Sequence, residues 1–202
     1  MYLAPRQVAI AATGETQMSA TGLGKSSLHL MAEAARQALT SIGMPKEAIQ
    51  GVMVSTTKAQ HRFMFAEALA SYLGLRPKTA LHMVQGGTTP ANSVGIAAAL
   101  ITAGLVDNVL IAFASSQMSE LDRDGVLARQ AADGSPYEAP WGMLAATSYG
   151  MLAQRHMHDY GTTSEQMARF AVVCRNHALL HPNAQMKTPI TVVDVLASRM
   201  IS

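Results

Sequence analysis

Cysteine is nearly absent from this chain, whose 202 residues contain one, Cys174. A single cysteine excludes an intramolecular disulfide and therefore a secreted disulfide framework, so we expect a reducing compartment, by default the cytoplasm. Charged residues are also scarce, at 14%, and the formal net charge is +2. Because the few basic residues are scattered, the charge gives no basis for binding nucleic acid.

Long apolar runs and a basic leader are missing as well. No stretch approaches the ~18 consecutive apolar residues of a membrane-spanning helix. The N-terminal residues 1–16 lack the basic start and the long apolar core of a signal peptide. Hydrophobic residues nevertheless make up 49% of the chain, which is typical of ordered globular proteins. A chain of this length can bury a sizeable core, as one large or two small domains.

Short apolar segments alternate with segments of helical periodicity in the first half of the chain. The apolar segments predict strands at residues 7–12, 51–55, 79–83 and 109–114. The periodic segments predict a helix capped by Ser26 or Ser27 and stopped by Gly43, and two more at 63–73, closed by Gly74, and 89–103. This β-α-β-α-β-α-β order predicts an α/β fold with a parallel sheet and crossover helices.

The third predicted helix is apolar on almost every side between residues 91 and 105. A helix of this kind must be buried all round, and one sheet can cover only one of its sides. The sequence therefore predicts a second sheet or layer over this helix. The rest of the sequence does not obviously provide that layer.

The remaining residues predict a long loop followed by helices. Residues 116–145 have no sustained periodicity, and we interpret their charged side chains as a solvated face: Asp122, Arg123, Asp124 and Asp133. Helices follow at 143–160 and 164–181, the second with a capping signal at Thr163. An extended piece and a short helix occupy residues 188–202.

The turn Val84-Gln85-Gly86-Gly87-Thr88 joins the predicted strand at 79–83 to the apolar helix. Its two glycines allow positive φ and close backbone approach, Thr88 or Thr89 can cap the helix, and Pro90 suits the first helical turn. Such a turn could bind a thioester carbonyl or an enolate oxygen. The alternative is that Gly86 and Gly87 only make a tight strand-to-helix connection.

The segment LHMVQGGTTPANSVGIAAALITAGLVDNVLIAFASSQM resembles the nucleophile loop and central helix of the thiolase superfamily, most closely its sterol-carrier-protein and lipid-transfer branch. In that family a cysteine occupies the strand-to-helix turn, and counting back without gaps from Asp107 puts its position at Gly87. Residues from Tyr149 to Met200 resemble the loop domain of the same branch. The chain is thus similar to an acyl-CoA enzyme that lacks its acyl-accepting sulfur.

The resemblance implies a fold and a domain organisation. It implies the N-terminal half of a thiolase-like protein, a mixed sheet with helices on both faces plus a mostly helical loop domain. Residues 1–117 would form the α/β core, and residues 118–202 would form the loop domain that covers the acyl-CoA site. The C-terminal half of the fold, with the acid/base residues expected from it, would lie outside the chain.

The resemblance also implies a chemistry. Members of the branch that carry glycines in place of the cysteine include aldolases that cleave the side chains of steroid acyl-CoA thioesters, and retro-aldol cleavage needs no acyl-enzyme. Gly86 and Gly87 would then form an oxyanion turn, with Thr88, Ser148 and Tyr149 binding a coenzyme A thioester as substrate. The alternative for Tyr149 is packing in the core of the loop domain, which we favour slightly. No covalently bound cofactor is implied.

Two further functions stay open from the sequence. The chain could be a non-catalytic binding or scaffold subunit, or a fragment of an acyltransferase similar to acetyl-CoA acetyltransferase. We expect enzymatic activity only when a C-terminal half completes the site. The implied partners are a second copy in a homodimer and either an OB-fold protein carrying a zinc ribbon or a separate C-terminal half.

The other reactive side chains favour structural roles. Cys174 lies within a predicted helix away from any glycine turn, and buried cysteines of this kind are usually inert. His177 and His181 are spaced to share one helix face, but no third ligand is evident. His156 and His158 are two residues apart and face different sides. We therefore predict no metal site.

Overall fold

The computed structural model describes residues 7–19, 24–56, 63–116, 136–137, 139–141 and 145–201. The chain divides into two compact units, one of Met1–Gln17 with Thr21–Leu121 and one of Met18–Ala20 with Asp122–Ser202. The four charged loop residues of the sequence prediction, Asp122, Arg123, Asp124 and Asp133, lie outside the described residues.

The first unit is an α/β sheet structure. Its strands are β1 (Gly51–Thr56), β2 (Thr79–Met83) and β3 (Val109–Ala114), and its helices are α1 (Ser27–Ser41), α2 (Phe65–Leu73) and α3 (Thr89–Thr102). Short 3-10 helices span Lys46–Ala48 and Gly86–Thr88. The strands are parallel in the order β2-β1-β3. The predicted α/β class with parallel crossovers is confirmed.

The predicted helix boundaries have local physical causes. The side chain of Ser26 accepts a hydrogen bond from the backbone N–H of His29 at 3.2 Å and caps α1. Gly43 and Gly74 follow α1 and α2 with φ of +62° and +70°. Such left-handed residues end helices because they satisfy the last carbonyl groups without a Cβ clash.

One face of the sheet carries the core. Val52 and Val54 of β1 point to this face and are paired in register with Leu110 and Ala112 of β3. They pack with α1 and α2 in a cluster whose most buried members include Met31, Ala32, Phe65, Ala66 and Leu69. Burial of this apolar surface is the main stabilising contribution to the first unit.

Helix α3 covers the opposite face. Met53 points to that face and is fully buried, and the α3 residues Thr89, Ser93 and Ala97 are buried one turn apart. The other side of α3 is not covered within this unit, since Val94 is 44% and Ile96 is 36% exposed. The sequence predicted burial on every side; the described residues of the first unit bury one.

The predicted first strand at residues 7–12 is wrong. These residues are described, but they form no strand, and Val8 and Ile10 are exposed. A strand needs ladder hydrogen bonds to a neighbouring strand, and this segment pairs with neither β2 nor β3, which are the edges of the described sheet. The segment leads instead to α1, where Gly14 lies against the backbone of Ala34.

The second unit is helical. It contains a 3-10 helix at Ala139–Trp141 and the α-helices α4 (Ala145–Tyr160), α5 (Ser164–Leu180) and α6 (Val192–Leu196). Thr163 and Thr191 each form a capping box, with Gln166 and Asp194. α5 and α6 contact each other, and Arg175 Nη1 donates a hydrogen bond to the Thr188 carbonyl at 2.6 Å. The helices predicted at 164–181 and within 188–202 are thus present.

Large apolar side chains of the second unit are exposed. Tyr149, Tyr160, Phe170 and Leu180 are each more than two-thirds exposed, at 71%, 76%, 74% and 83%. No helix in the described part of the chain is long and apolar enough to cross a membrane. Exposed apolar groups of this size usually mark an interaction surface.

Candidate functional site

The glycine turn follows β2 directly and leads into α3 without a break. Gly86, Gly87 and Thr88 form a 3-10 turn, and α3 begins at Thr89. Gly86 has a φ of +62°, which L-residues with a side chain rarely adopt. The conformation of the turn therefore requires glycine at position 86.

The local geometry at position 87 does not require glycine. The φ of Gly87 is outside the left-handed region, and a Cβ built on it would meet no heavy atom of the described residues within 4 Å. This is the position that the family resemblance assigns to the nucleophilic cysteine. The turn has room for a side chain at position 87. Steric crowding within the first unit therefore does not explain why glycine occupies the position where the family has cysteine.

Two threonine hydroxyls hold the turn together. Thr89 Oγ1 accepts from the backbone N–H of Gln85 and donates to the carbonyl of Gly86, both at 2.8 Å. Thr88 Oγ1 donates to the carbonyl of Gln85, also at 2.8 Å. The prediction that Thr88 or Thr89 caps α3 is wrong in detail, because Thr88, the N-cap residue, makes no side-chain cap bond and these hydroxyls serve the preceding turn.

Gln85 and Asn92 form a further contact that the sequence did not reveal. Asn92 Nδ2, one turn into α3, donates a hydrogen bond to Gln85 Oε1 at 2.7 Å. Both residues are exposed in the first unit. Asn92 is a polar residue at the start of an otherwise apolar helix. This exception to the apolar pattern is the sequence signal that could have indicated the contact.

Asp107 has a structural role in the connection that precedes β3. Gln50 Nε2 donates to Asp107 Oδ2 at 2.9 Å, and Gln50 Oε1 accepts from the backbone N–H of Asp107 at 3.1 Å. The Gln50 carboxamide thus closes the connection before β3. This connection lies at the amino ends of the strands, whereas the glycine turn follows the carboxyl end of β2.

Ser148 and Tyr149 lie in α4 of the second unit. Ser148 is half-buried, whereas Tyr149 is 71% exposed. The alternative that Tyr149 packs in the core of this unit is therefore wrong. Their exposed apolar surroundings are compatible with a binding surface, and their role toward substrate stays a prediction.

The other reactive side chains that the sequence singled out lie on α4 and α5 of the second unit. Cys174 is exposed, so the prediction that it is buried is wrong; α5 turns it away from Ala168, the one residue of that helix that is buried. His156 contacts Thr162 and Tyr160, and His158 contacts Asp159. No group of three or more metal-ligating side chains occurs among the described residues.

Curated proteins with similar sequences span the whole chain. The chain is 31% identical over 209 residues to a steroid side-chain-cleaving aldolase of Thermomonospora curvata, covering 100% of this chain and 52% of that protein. It is 29% identical over 205 residues to a 17-hydroxy-3-oxo-4-pregnene-20-carboxyl-CoA lyase of Mycobacterium tuberculosis, covering 97% and 52%. The chain spans about half the length of these relatives. No protein-family model matches it.

Solved structures give the same result for the fold. The Ltp2-ChsH2(DUF35) aldolase superposes with a TM-score of 0.78 and 31% identity, covering 96% of this chain and 49% of that chain. An SCP2-thiolase like protein of Mycobacterium smegmatis superposes with a TM-score of 0.66 over 94% of this chain and 38% of that chain, and its 22% identity bears on the fold alone.

The parallel sheet, its helices on both faces and the glycine turn after β2 define a thiolase-like α/β protein. Within that class, the chain has the thiolase/SCP2-thiolase-like fold and corresponds to about half of such a protein, consistent with the N-terminal half. The resemblance predicted from the sequence is confirmed.

Proposed function

We propose that the chain is part of an aldolase that cleaves a carbon–carbon bond in an acyl-CoA thioester without forming an acyl-enzyme. The observation that carries this proposal is the open glycine turn, with Gly87 at the nucleophile position and space for a bound group beside it. The names of the relatives, an aldolase that cleaves steroid side chains and a steroid carboxyl-CoA lyase, support sterol breakdown as the context.

The proposed reaction needs a base, an acid and a site for negative charge. A base removes the proton of the β-hydroxyl group, the Cα–Cβ bond breaks, and its electron pair moves into the thioester as an enolate. The β-carbon leaves as a ketone or aldehyde. Protonation of the enolate at Cα then gives the shortened acyl-CoA, so the atoms and electrons balance without an oxidant.

The turn would stabilise the enolate oxygen. Backbone N–H groups at Gly86 and Gly87 open a helical segment, where such groups lack intrahelical partners and favour negative charge. Fixed donors of this kind stabilise developing charge most effectively when water is excluded. Thr88, Ser148 and Tyr149 are the proposed contacts to the thioester and its pantetheine arm, with residues 118–202 as the covering loop domain.

We place the acid and the base in the remaining half of the fold. The exposed side of α3, with Val94 and Ile96, supports packing of a second layer over this helix. That half could follow in the same polypeptide or come from another chain. The proposed assembly is a homodimer in the cytoplasm with an OB-fold partner, and the ChsH2(DUF35) component named in the similar aldolase structure supports the presence of a partner protein.

The test is turnover by the complete assembly on a β-hydroxyacyl-CoA thioester with a tertiary β-carbon. We expect release of a ketone and a shortened acyl-CoA, with no covalent adduct on this chain by intact mass spectrometry. An adduct would indicate an acyltransferase mechanism. Binding of the thioester or of a catalytic partner without any cleavage would favour the second candidate, a non-catalytic scaffold subunit.

A further inference from the structure

Gln85 is held at three of its four hydrogen-bonding groups. Its backbone N–H donates to Thr89 Oγ1 at 2.8 Å, and its carbonyl accepts from Thr88 Oγ1 at 2.8 Å. Its side-chain Oε1 accepts from Asn92 Nδ2 at 2.7 Å. The fourth group, the Nε2 amide, makes no hydrogen bond to any described residue. The restrained residue therefore presents one uncommitted donor beside the turn.

The contact with Asn92 occupies one end of the Gln85 carboxamide. Asn92 Nδ2, a donor, faces Oε1 of Gln85, and the Nε2 end of Gln85 is left free. A glutamine that served only to cap the following helix would direct its oxygen at a backbone N–H. Gln85 makes no such side-chain cap bond.

The location of this donor matches the proposed chemistry. Gln85 precedes Gly86 and stands two residues before Gly87, the position of the absent sulfur. Because neither glycine has a side chain and a Cβ on either would meet no atom of the described residues within 4 Å, no side chain in the described part of the chain fills the space beside the turn.

We propose that Gln85 Nε2 donates a hydrogen bond to the oxygen of the CoA thioester and of its enolate, and that Asn92 is the positioning residue that orients this donor. The proposal rests on the aldolase function proposed above and adds a side-chain donor to the backbone groups of the turn. Gln85 is then a catalytic residue, since it touches the reacting oxygen.

The donor should act mainly on kcat. The enolate oxygen carries more negative charge than the thioester carbonyl, so the hydrogen bond strengthens as the Cα–Cβ bond breaks. Removing one donor of an oxyanion site lowers kcat by on the order of 10²-fold. A loss of ground-state binding alone would instead raise KM and leave kcat unchanged.

The experiment compares Gln85→Met, Asn92→Asp and the control Ser41→Ala in the complete assembly. Methionine keeps the length of glutamine and removes the donor. The carboxylate that Asn92→Asp introduces would accept from Gln85 Nε2 and so turn the carboxamide over, which puts Oε1 beside the thioester. The control removes an exposed hydroxyl at the end of α1 that bonds the Ala38 carbonyl. We expect kcat to fall on the order of 10²-fold in both test variants and to stay unchanged in the control.

A second readout separates this inference from the proposed function. The carbonyl stretch of a bound carbon-13-labelled thioester without a β-hydroxyl group reports its hydrogen bonds directly and needs no turnover. We expect the wild-type stretch at lower frequency than in Gln85→Met and Asn92→Asp. If the wild type cleaves the substrate and both variants have the same kcat and the same carbonyl frequency as the wild type, the proposed role of Gln85 is overturned. The proposed aldolase function would be unaffected by that result. Absence of cleavage by the wild type would overturn the aldolase, while the frequency shift would still decide whether Gln85 binds the carbonyl.

Discussion

The hydroxyl of Thr89 lies 2.8 Å from the backbone nitrogen of Gln85 and accepts its hydrogen, which ties the first residue of α3 to the residue that opens the turn. The same hydroxyl donates to the Gly86 carbonyl, and Thr89 is 1% exposed. One buried side chain thus satisfies two backbone groups of a turn that contains two glycines.

Replacing Thr89 by valine keeps its shape and removes the hydroxyl. The Gln85 N–H and the Gly86 carbonyl then lose their partner, and because both residues are exposed to water, each lost hydrogen bond costs about 0.5–1.5 kcal/mol. We expect Thr89→Val to lower the free energy of unfolding by roughly this amount, as measured by urea denaturation. Thr89→Ser keeps the hydroxyl and should be much less destabilised; equal losses in the two variants would show that the hydroxyl does not hold the turn.

The two glycines of the turn should respond differently to alanine. Gly86 has a φ of +62°, where a Cβ costs roughly 1–2 kcal/mol. Gly87 has neither a positive φ nor a neighbour within 4 Å of a Cβ. We expect Gly86→Ala to lower the melting temperature and Gly87→Ala to leave it nearly unchanged. The reverse order would contradict the geometry described for the turn.

Because the space at Gly87 is open, a substitution there can test the chemistry of the turn without destabilising the fold. Gly87→Cys should fold normally and place a thiol at the position that thiolases use. If the backbone donors of the turn are intact in the complete assembly, this variant should form an acyl-enzyme with an acyl-CoA, detectable as a mass increase. A correctly folded variant that never acylates would weaken the assignment of Gly87 to the nucleophile position.

A substitution at Gly95, in the middle of α3, tests whether a second layer packs against the exposed side of this helix. Gly95 is exposed, with no atom within 4 Å of a built Cβ, so Gly95→Ala should stabilise the chain alone by about 1 kcal/mol through helix propensity. In the complete assembly a second layer would pack against this side of α3, and the added methyl group should weaken association. The same gain in both preparations would mean that no layer covers α3 at Gly95.

Asp159 in α4 gives a prediction on pH. A hydrogen bond from Arg155 at 2.6 Å, and a second from His158, lower the pKa of the Asp159 carboxyl below its ordinary value of 3.8. A lowered pKa in the folded state stabilises the fold above the ordinary value, and this contribution is lost as the pH falls through the lowered pKa. Because Asp159 is exposed, solvent screening keeps the contribution small.

Arg155→Met should therefore raise the pKa of Asp159 toward its ordinary value. The titration can be followed by NMR of the carboxyl carbon across the acidic range. Glu33 is the internal control, because its pKa is lowered by Lys25 at 2.6 Å in the other unit and should not respond. An unchanged Asp159 pKa would show that the i,i+4 pair does not form in solution.

The elements that the sequence predicted well are those with strong local determinants. β3 has the predicted bounds because it is an uninterrupted apolar run. β2 also has the predicted bounds, and turn residues follow it. α5 begins at Ser164 because Thr163 forms a capping box with Gln166. These signals depend on residues that are neighbours in sequence, so they can be recognised from the amino-acid sequence alone.

The failures depend on partners distant in sequence. Residues 7–12 have the apolar content of a strand, but strand formation requires pairing with another strand, which no local pattern encodes. Cys174 and Tyr149 have helical positions that are compatible with burial, yet both are exposed. The bond between Gln85 and Asn92 depends on the left-handed Gly86, which sets the direction of the chain between them.

The most direct test is a single-turnover reaction of the complete assembly with a β-hydroxyacyl-CoA thioester, with product formation and the intact mass of this chain recorded together. We expect ketone and shortened acyl-CoA to appear while the mass of the chain stays that of the unmodified protein. A covalent acyl intermediate on this chain, or a bound thioester that is never cleaved, would contradict the proposed aldolase mechanism.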